Sequence, residues 1–199
     1  MKKIYLLITT ILLTIIISVT AFGTDKKPLV VYFSRAGENY SVGIVQKGST
    51  EIVAEMIAKE TGADLFKIEP VTPYPENYNE TVRIARDEKR ENARPKIKNK
   101  VNNLKDYDVV FLGYPIWHGD LPMAFYTFLD ENNLSGKRIV LFSTHEGSGI
   151  SRTDSTIRNY TKGKVVDNVL SIRGKRVQDS KAETDVKNWI RTLRDSKTI

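Results

Sequence analysis

The 199-residue chain contains no cysteine and only two histidines. Without cysteine, it can form no disulfide framework and cannot carry a lipid on a cysteine side chain. A zinc site needs several Cys, His or carboxylate ligands close together, and no such cluster accompanies His118 or His145 in the sequence. We therefore expect a protein without a bound metal.

Three motifs that mark common nucleotide-binding and hydrolytic sites are also missing. The P-loop needs a lysine before its last hydroxyl residue, but Gly43–Thr50 reads GIVQKGST, with Ser49 in the lysine position. No G-x-G-x-x-G fingerprint follows a predicted strand. The segment Gly147–Gly149 is too short for the G-x-S-x-G turn of a serine hydrolase. These absences argue against a P-loop nucleotidase, a Rossmann dehydrogenase and a serine hydrolase.

Charged residues are absent from Ile4 to Gly23, a run that follows Lys2 and Lys3. Such a start is typical of a secretory signal peptide, and about 20 apolar residues also suffice to span a bilayer. We predict that residues 1–23 are a cleaved signal peptide or a retained membrane anchor, and that residues 24–199 form one domain. In either case we expect an extracytoplasmic protein: secreted, periplasmic, or held at the outer face of the cytoplasmic membrane through residues 4–23.

The chain carries a formal net charge of +7 at neutral pH. Its lysines and arginines are scattered among acids, without the basic stripe interleaved with aromatics that is typical of nucleic-acid binding. We therefore expect no nucleic-acid partner. The basic balance favours an acidic partner protein or an anionic membrane surface.

Short runs of Val, Ile, Leu and Phe recur without polar alternation, which is typical of strands covered on both faces. They lie at Leu29–Phe33, Val109–Leu112 and Ile139–Phe142. Asp64–Glu69 alternates in part and is expected nearer a sheet edge, and Val165–Ile172 is a fifth candidate strand. Since helical patterns separate these runs, we predict an α/β fold in which helices cover both faces of a parallel sheet.

The helical segments have recognisable ends. The predicted helices are Thr50–Glu60, Asn77–Arg90, Met123–Leu129 after Pro122, and a last helix that buries Trp189. Gly62 is expected to end the first of them. Two capping boxes, Ser151 with Asp154 and Ser180 with Glu183, predict the starts of two helices.

Ligands of such sheets bind beyond the carboxyl ends of the strands, where three loops are expected to meet. The first loop begins at Ser34 and ends in Gly48, Ser49 and Thr50, directly before a helix. Backbone N–H groups and hydroxyls at a helix start favour an anion site that needs no lysine, and Gly48 would let the backbone approach the ligand. An ordinary helix N-cap is the alternative interpretation.

The second loop, residues 113–122, reads GYPIWHGDLP. Pro115 and Pro122 fix the backbone at both ends, which holds the residues between them at the rim of the sheet. Trp117 either offers its ring face to a flat ligand or packs beneath the loop as part of the core.

The third loop, residues 143–151, reads STHEGSGIS. Its glycines free the backbone to curl around the edge of a ring. His145 has three interpretations: an acid or base, a hydrogen-bond donor to a ring oxygen, or a turn residue.

The three loops together resemble those of the flavodoxin-like family, in its FMN-binding bacterial branch, over nearly all of residues 24–199. Ser34 with Gly48–Thr50 resembles the phosphate loop, Tyr114–Gly119 with Pro122 the first ring-binding loop, and Thr144–Gly149 the second. The resemblance implies a three-layer α/β/α sandwich with a five-stranded parallel sheet of order 2-1-3-4-5, and one non-covalently bound FMN. The cofactor-binding residues so implied are Ser34, Arg35, Gly48, Ser49, Thr50, Pro115, Ile116, Trp117, His118, Gly119, Thr144, His145, Glu146, Gly147, Ser148 and Gly149.

The chain departs from the family pattern in two places. Residues 35–47 are an insertion in the phosphate loop, and Tyr40 and Val42–Val45 within it are candidates to cover the phosphate or a ring edge. The third loop carries His145 where the family often has an aromatic, which predicts that one flavin face stays open.

Three functions agree with this pattern. The first is electron carriage between redox partner proteins, with no catalytic side chain. The second is FMN-dependent reduction of a quinone or similar acceptor, which the open ring face and His145 favour. The third is a non-redox binding module on the same fold. Carriage is favoured, because an extracytoplasmic protein has little access to soluble nicotinamide donors. A response-regulator receiver is excluded, because Ser34 and Tyr114 stand where it needs acids.

Overall fold

The computed structural model describes residues 26–199, so the predicted leader, residues 1–23, lies outside the described residues. The strands are β1 Leu29–Tyr32, β2 Gly37–Asn39, β3 Gly43–Val45, β4 Asp64–Lys67, β5 Val109–Pro115, β6 Arg138–His145, β7 Lys164–Val165 and β8 Leu170–Arg173. The helices are α1 Ser49–Thr61, α2 Tyr78–Arg90, α3 Met123–Glu131, α4 Thr153–Tyr160, α5 Gly174–Gln178 and α6 Glu183–Asp195, with a 3₁₀ turn at Leu104–Asp106.

The main sheet is parallel and runs in the order β4-β1-β5-β6, with β7 and β8 both paired to the far side of β6. β7 pairs with the start of β6, at Arg138 and Ile139, and β8 pairs with its end. The predicted order 2-1-3-4-5 is confirmed, and the fifth position is divided between two short strands. The partly alternating strand, β4, lies at the sheet edge as expected.

Each face of the sheet buries its own hydrophobic cluster. On one face, Leu29 and Val31 pack with α3, including Phe125 and Phe128. On the other face, Val30 packs with α1 and with α6, whose Trp189 is buried as predicted. Neighbouring residues of β1 therefore enter opposite cores, because side chains of a strand alternate between its two faces. This explains why the central strands are apolar throughout.

Two helix ends follow the sequence expectation. α1 ends at Gly62, whose φ of 70° places it in the left-handed region and whose N–H donates to the carbonyl of Ala58 at 2.8 Å. α2 starts after Asn77, whose side chain accepts the N–H of Glu80 at 3.0 Å. Within residues 26–199, no helix combines the length and the apolar character that a bilayer crossing requires.

Both predicted capping boxes are wrong. Ser151 and Arg152 adopt left-handed conformations with φ of 50° and 63°, and the Ser151 hydroxyl donates to the carbonyl of Ser148 instead of capping α4. Ser180 is also left-handed, with its N–H bonded back to Val177, and α6 starts later, after Ala182. A left-handed residue reverses the local chain direction, so neither serine can reach the first amides of the next helix.

Gly113 provides a test of the packing of β5. Its register partner is Phe142, and a Cβ at Gly113 would clash with the Phe142 ring. We expect Gly113→Ala to lower the free energy of unfolding by about 1–3 kcal/mol in urea denaturation, because the ring cannot leave a filled core. Adding Phe142→Leu should restore part of this loss, so the double variant costs less than the two single losses combined. Additive losses would contradict this account.

Candidate functional site

A cavity of about 250 Å³ opens at the carboxyl edge of the sheet. The loops after β1, β5 and β6 converge on it, as the sequence predicted, and the β2–β3 hairpin and α2 complete its wall. Its lining residues are Ser34, Arg35, Asn39, Tyr40, Val42, Ser49, Thr50, Tyr78, Thr81, Val82, Ala85, Pro115, Ile116, Trp117, His118, Thr144, His145, Glu146 and Gly174. The cavity therefore joins residues that are far apart in the sequence.

One end of the cavity is the first turn of α1. Ser49 and Thr50 line it there, and their backbone N–H groups have no acceptor within the helix because they belong to its first turn. The Thr50 and Thr144 hydroxyls share a buried hydrogen bond of 2.7 Å, which ties the first loop to the third. Amides, hydroxyls and the positive end of a helix dipole together favour an anion at this end.

Gly48 does not line the cavity. Its role is packing: a Cβ at Gly48 would clash with the Ser34 hydroxyl and the Arg35 carbonyl. The Ser34 hydroxyl in turn accepts the N–H of Glu51 at 3.1 Å and so caps α1 across the insertion. The N-cap residue of α1 is Gly48, which has no side chain, so the Ser34 hydroxyl supplies the cap from the far side of the insertion. The anion site stays a prediction.

Another part of the cavity wall is aromatic and apolar. Trp117 is half-buried, and its ring contacts Phe33 and Tyr74 edge-on, with centroid distances of 5.2 and 4.9 Å. The same residue lines the cavity beside Ile116 and Pro115. Trp117 therefore packs against the core and also reaches the cavity, so the two alternatives raised for it are not exclusive.

The turn after Trp117 is held against α2. Trp117 and Asp120 exchange backbone hydrogen bonds of 2.9 and 3.0 Å, and His118 and Gly119 between them both have positive φ, which defines a type I′ turn. His118 Nε2 donates to the carbonyl of Val82 at 2.9 Å, and Lys89 Nζ donates to the carbonyl of His118 at 2.8 Å. His118 lines the cavity, and Gly119 does not.

The third loop contributes His145 and Glu146. His145 Nδ1 accepts the N–H of Gly147 at 2.9 Å, so the ring proton lies on Nε2. Burial lowers the pKa of His145, Glu146 opposes this shift, and Arg173 adds to it. Glu146 accepts the N–H of Lys175 at 2.9 Å. His145 is thus a turn residue that also lines the cavity, whereas Gly147, Ser148 and Gly149 do not line it.

The insertion forms the β2–β3 hairpin, which Arg35 fastens to the chain just before α2. The Arg35 guanidinium donates to the carbonyls of Pro75, Glu76 and Glu38 at 2.6–3.0 Å. Tyr40 at the hairpin tip lies against Tyr78 with a centroid distance of 6.0 Å, and both line the cavity. Arg35 lines the cavity too, but its donors are largely used by these carbonyls.

The residues that the sequence analysis missed lie mainly on α2. Tyr78, Thr81, Val82 and Ala85 line the cavity and follow each other at the three- and four-residue spacing of one helix face. In the sequence, this stripe of uncharged residues within an otherwise charged helix indicates that one face of the helix is covered. Gly174 also lines the cavity and was not predicted. Only the tertiary structure explains why this position is glycine, because a Cβ there would lie 2.6 Å from Glu146 Oε1.

The geometry agrees with the comparisons to known proteins. A model of the flavodoxin family matches residues 27–193. The chain belongs to the flavodoxin family. A search of curated proteins found no match. Among residues 26–199 of this flavodoxin, no group of three or more His, Cys, Asp and Glu side chains is placed to hold a metal ion.

Solved structures show the same fold. A candidate flavoprotein from Bacteroides eggerthii is 29% identical, with a TM-score of 0.64, and the match covers 84% of this chain and 98% of that one. A candidate flavoprotein from Bacteroides uniformis is 23% identical, with a TM-score of 0.66 and coverage of 84% and 99%. A Lactobacillus acidophilus flavoprotein in complex with FMN is 22% identical, with a TM-score of 0.58 and coverage of 79% and 99%.

The Arg35 contacts generate a prediction about the hairpin. Arg35→Ala removes hydrogen bonds from a charged donor, each worth about 1.5–3 kcal/mol. We expect amides of Gly37–Val45 to exchange with deuterium roughly 10–100-fold faster, while amides of β1 keep their rates. Arg35→Lys should give an intermediate rate, because a single ammonium cannot reach all three carbonyls. Unchanged hairpin exchange in Arg35→Ala would contradict the assigned role.

The lowered pKa of His145 generates a pH prediction. The pKa of His145 is about 6.5 in the unfolded chain and lower in the folded chain. Below about pH 6.5 the unfolded chain therefore binds a proton at His145 more readily than the folded chain does. The contribution of His145 to the free energy of unfolding falls as the pH drops towards the folded pKa. His145→Asn keeps an acceptor for the Gly147 N–H but does not titrate. Between pH 7 and 5, the wild type should therefore lose more stability than His145→Asn in urea denaturation, by less than about 1 kcal/mol because solvent screens a partly exposed ring. Equal losses would show that the imidazole does not contribute.

Proposed function

We propose that this chain binds one FMN non-covalently and carries electrons between redox partner proteins. The observation that supports this is the polarity of the cavity, with amides and hydroxyls at the α1 end and aromatic and apolar side chains at the Trp117 end. FMN has the matching shape, a phosphate tail joined to a flat ring. When bound, FMN supplies a ring that takes up and releases one or two electrons.

The α1 end fits a phosphate. Ser49 and Thr50 offer backbone N–H groups, and Ser34 and Ser49 offer hydroxyls, all at the positive end of the α1 dipole. The Ser49 hydroxyl has long contacts of 3.3 Å to Gly174 and Gln178 that a phosphate oxygen would replace. Arg35 is committed to three carbonyls of the hairpin junction, so amides and hydroxyls, not a cation, hold the phosphate.

The Trp117 end fits a flat ring. Trp117 is held from two sides by Phe33 and Tyr74, which fixes its orientation before a ligand arrives. Tyr40 and Tyr78 lie on the hairpin side of the same cavity. Two aromatic surfaces therefore border the proposed ring site, and Tyr40 is a candidate to cover a ring edge from the hairpin, as the sequence predicts for the insertion.

Electron carriage is favoured over a reductase with its own substrate. Three titratable side chains that line the cavity, His118, His145 and Glu146, each have a hydrogen-bond partner in the backbone of the protein. These bonds orient the loops, a role that requires no proton exchange with a substrate. This favours the role in which no side chain performs acid–base chemistry.

The direct experiment is a titration of the purified domain with FMN, followed by visible absorption and calorimetry. We expect one FMN per chain and a perturbed flavin spectrum. The proposal fails if folded protein takes up no FMN. Turnover of a quinone with NADH or NADPH would assign the reductase function instead of carriage.

Two variants test the two ends of the cavity separately, with riboflavin as the ligand that lacks the phosphate. Ser49→Ala should weaken FMN binding roughly 10–100-fold and leave riboflavin binding unchanged, because it removes a hydrogen bond to a charged group. Trp117→Leu should weaken both ligands roughly 3–10-fold, because it removes ring stacking. Ser135→Ala, an exposed serine in the turn before β6, is the control and should change neither affinity. Equal losses of both ligands in Ser49→Ala would contradict the assignment of the phosphate end.

A further inference from the structure

The charges of the domain are unevenly distributed between the two edges of the sheet. At the amino edge, where the strands begin, the basic side chains are Lys26, Lys27, Lys105, Lys137, Arg138, Lys162, Lys164 and Lys197. The acids on the same edge are Asp64, Asp106 and Asp108. Around the cavity, at the opposite edge, the acids Glu38, Glu51, Glu55, Glu76, Asp120 and Glu146 are matched by the basic residues Arg35, Lys47, Lys67, Lys89, Arg173 and Lys175. The amino edge therefore has an excess of basic side chains, whereas the two signs are balanced around the cavity.

Contacts in the structure place these basic residues on one edge. Lys164 donates its N–H to the carbonyl of Lys137, and Arg138 donates to the carbonyl of Lys197 at 2.9 Å. Lys26 pairs with Asp108, next to the start of β5. Helix ends near this edge add two basic side chains, Lys59 and Arg194, and four acidic ones, Glu60, Asp130, Glu131 and Asp195. They leave the edge itself basic.

Several of these cations are free to meet a partner. Lys105, Lys162 and Lys164 are exposed, and none of them pairs with a carboxylate among residues 26–199. Lys26 and Lys27 pair with Asp108 and Asp64, but as exposed pairs, which contribute little and yield easily to another anion. The edge therefore presents mobile ammonium groups that have not been neutralised.

We propose that the amino edge of the domain rests on an anionic lipid bilayer. Only residues 24 and 25 separate Lys26 from the uncharged run that ends at Gly23, so the chain enters the domain at the same edge that is basic. Three residue steps lead from Gly23 to Lys26 and span at most roughly 11 Å, which is comparable to the Debye length of about 8 Å at physiological salt. If residues 4–23 are retained as the membrane anchor, which is one of the two predictions made from the sequence, lipid phosphates at the end of that run lie close to these lysines.

This orientation leaves the cavity accessible. Val109–Pro115 runs from the basic edge to the cavity, and seven strand residues span roughly 20 Å. The cavity then faces away from the membrane and towards soluble partners, beyond the range of the lipid charges. An acidic partner protein is less favoured at this edge, because it would occupy the side opposite to the proposed cofactor.

The surface can be tested on residues 24–199, which fold on their own. Both buried clusters use only residues from Leu29 to Leu193, and the Bacteroides eggerthii chain, matched over 98% of its length, is a separate folded protein of this extent. Co-sedimentation is measured with phosphatidylcholine vesicles with and without phosphatidylglycerol, at low and high salt. We expect binding only to the anionic vesicles, and loss of it at high salt.

Matched charge reversals locate the surface. Lys105→Glu, Lys162→Glu and Lys164→Glu together should weaken vesicle binding at least about 10-fold, since each charge near an anionic surface changes binding by roughly fivefold. A control triple variant changes the net charge equally at exposed positions away from the amino edge: Lys96→Glu, Lys98→Glu and Lys175→Glu. It should weaken vesicle binding much less than the first triple variant does. Circular dichroism and urea denaturation check that both triple variants are folded.

Three outcomes would overturn the proposal. They are equal binding to neutral and anionic vesicles, equal losses in the two triple variants, and retention on an immobilised acidic protein without any binding to anionic vesicles. The last result would assign the edge to a protein partner. FMN uptake is read independently, so a failure here leaves the cofactor proposal untouched.

Discussion

The close packing of Gly48 against the end of β1 is the contact on which the cavity depends. It brings the start of α1 directly beside Ser34, although residues 35–47 intervene in the sequence. Because the entropy of closing a loop grows only slowly with its length, an insertion costs little once its two ends are held together. The chain can therefore leave the sheet to build the β2–β3 hairpin and return to the same point.

The fold was predictable because its strongest signals are local. Apolar runs such as Leu29–Phe33 must be strands with two covered faces, and Gly62 and Asn77 mark helix ends by their own backbone and side-chain chemistry. The capping boxes failed because the conformations of Ser151 and Ser180 are set by the turns that precede them. A short sequence pattern carries no information on that turn geometry.

The cavity was predictable only in part. The residues at strand ends were found, because a parallel sheet collects its carboxyl ends at one edge. The residues that α2 contributes to the cavity wall were not found, because the local sequence does not show which loop Tyr78 and Val82 face. The hairpin partner of Tyr78, Tyr40, lies in an insertion that Arg35 fastens through the carbonyls of Pro75 and Glu76, which are about 40 residues away in the sequence. Such contacts follow from the tertiary structure and not from a motif.

The polar side chains of the cavity are mostly held by backbone groups of neighbouring elements. His118 is bonded to α2, Glu146 to the start of α5, and Arg35 to the segment before α2. A site fixed in this way needs little ordering when a ligand binds, so more of the contact energy is retained as affinity. The same rigidity suits electron carriage, because a site that keeps its shape while charge enters and leaves has little structure to rearrange at each transfer. A reductase that admits a second substrate would gain from a more adaptable wall, which is a physical reason to rank carriage first.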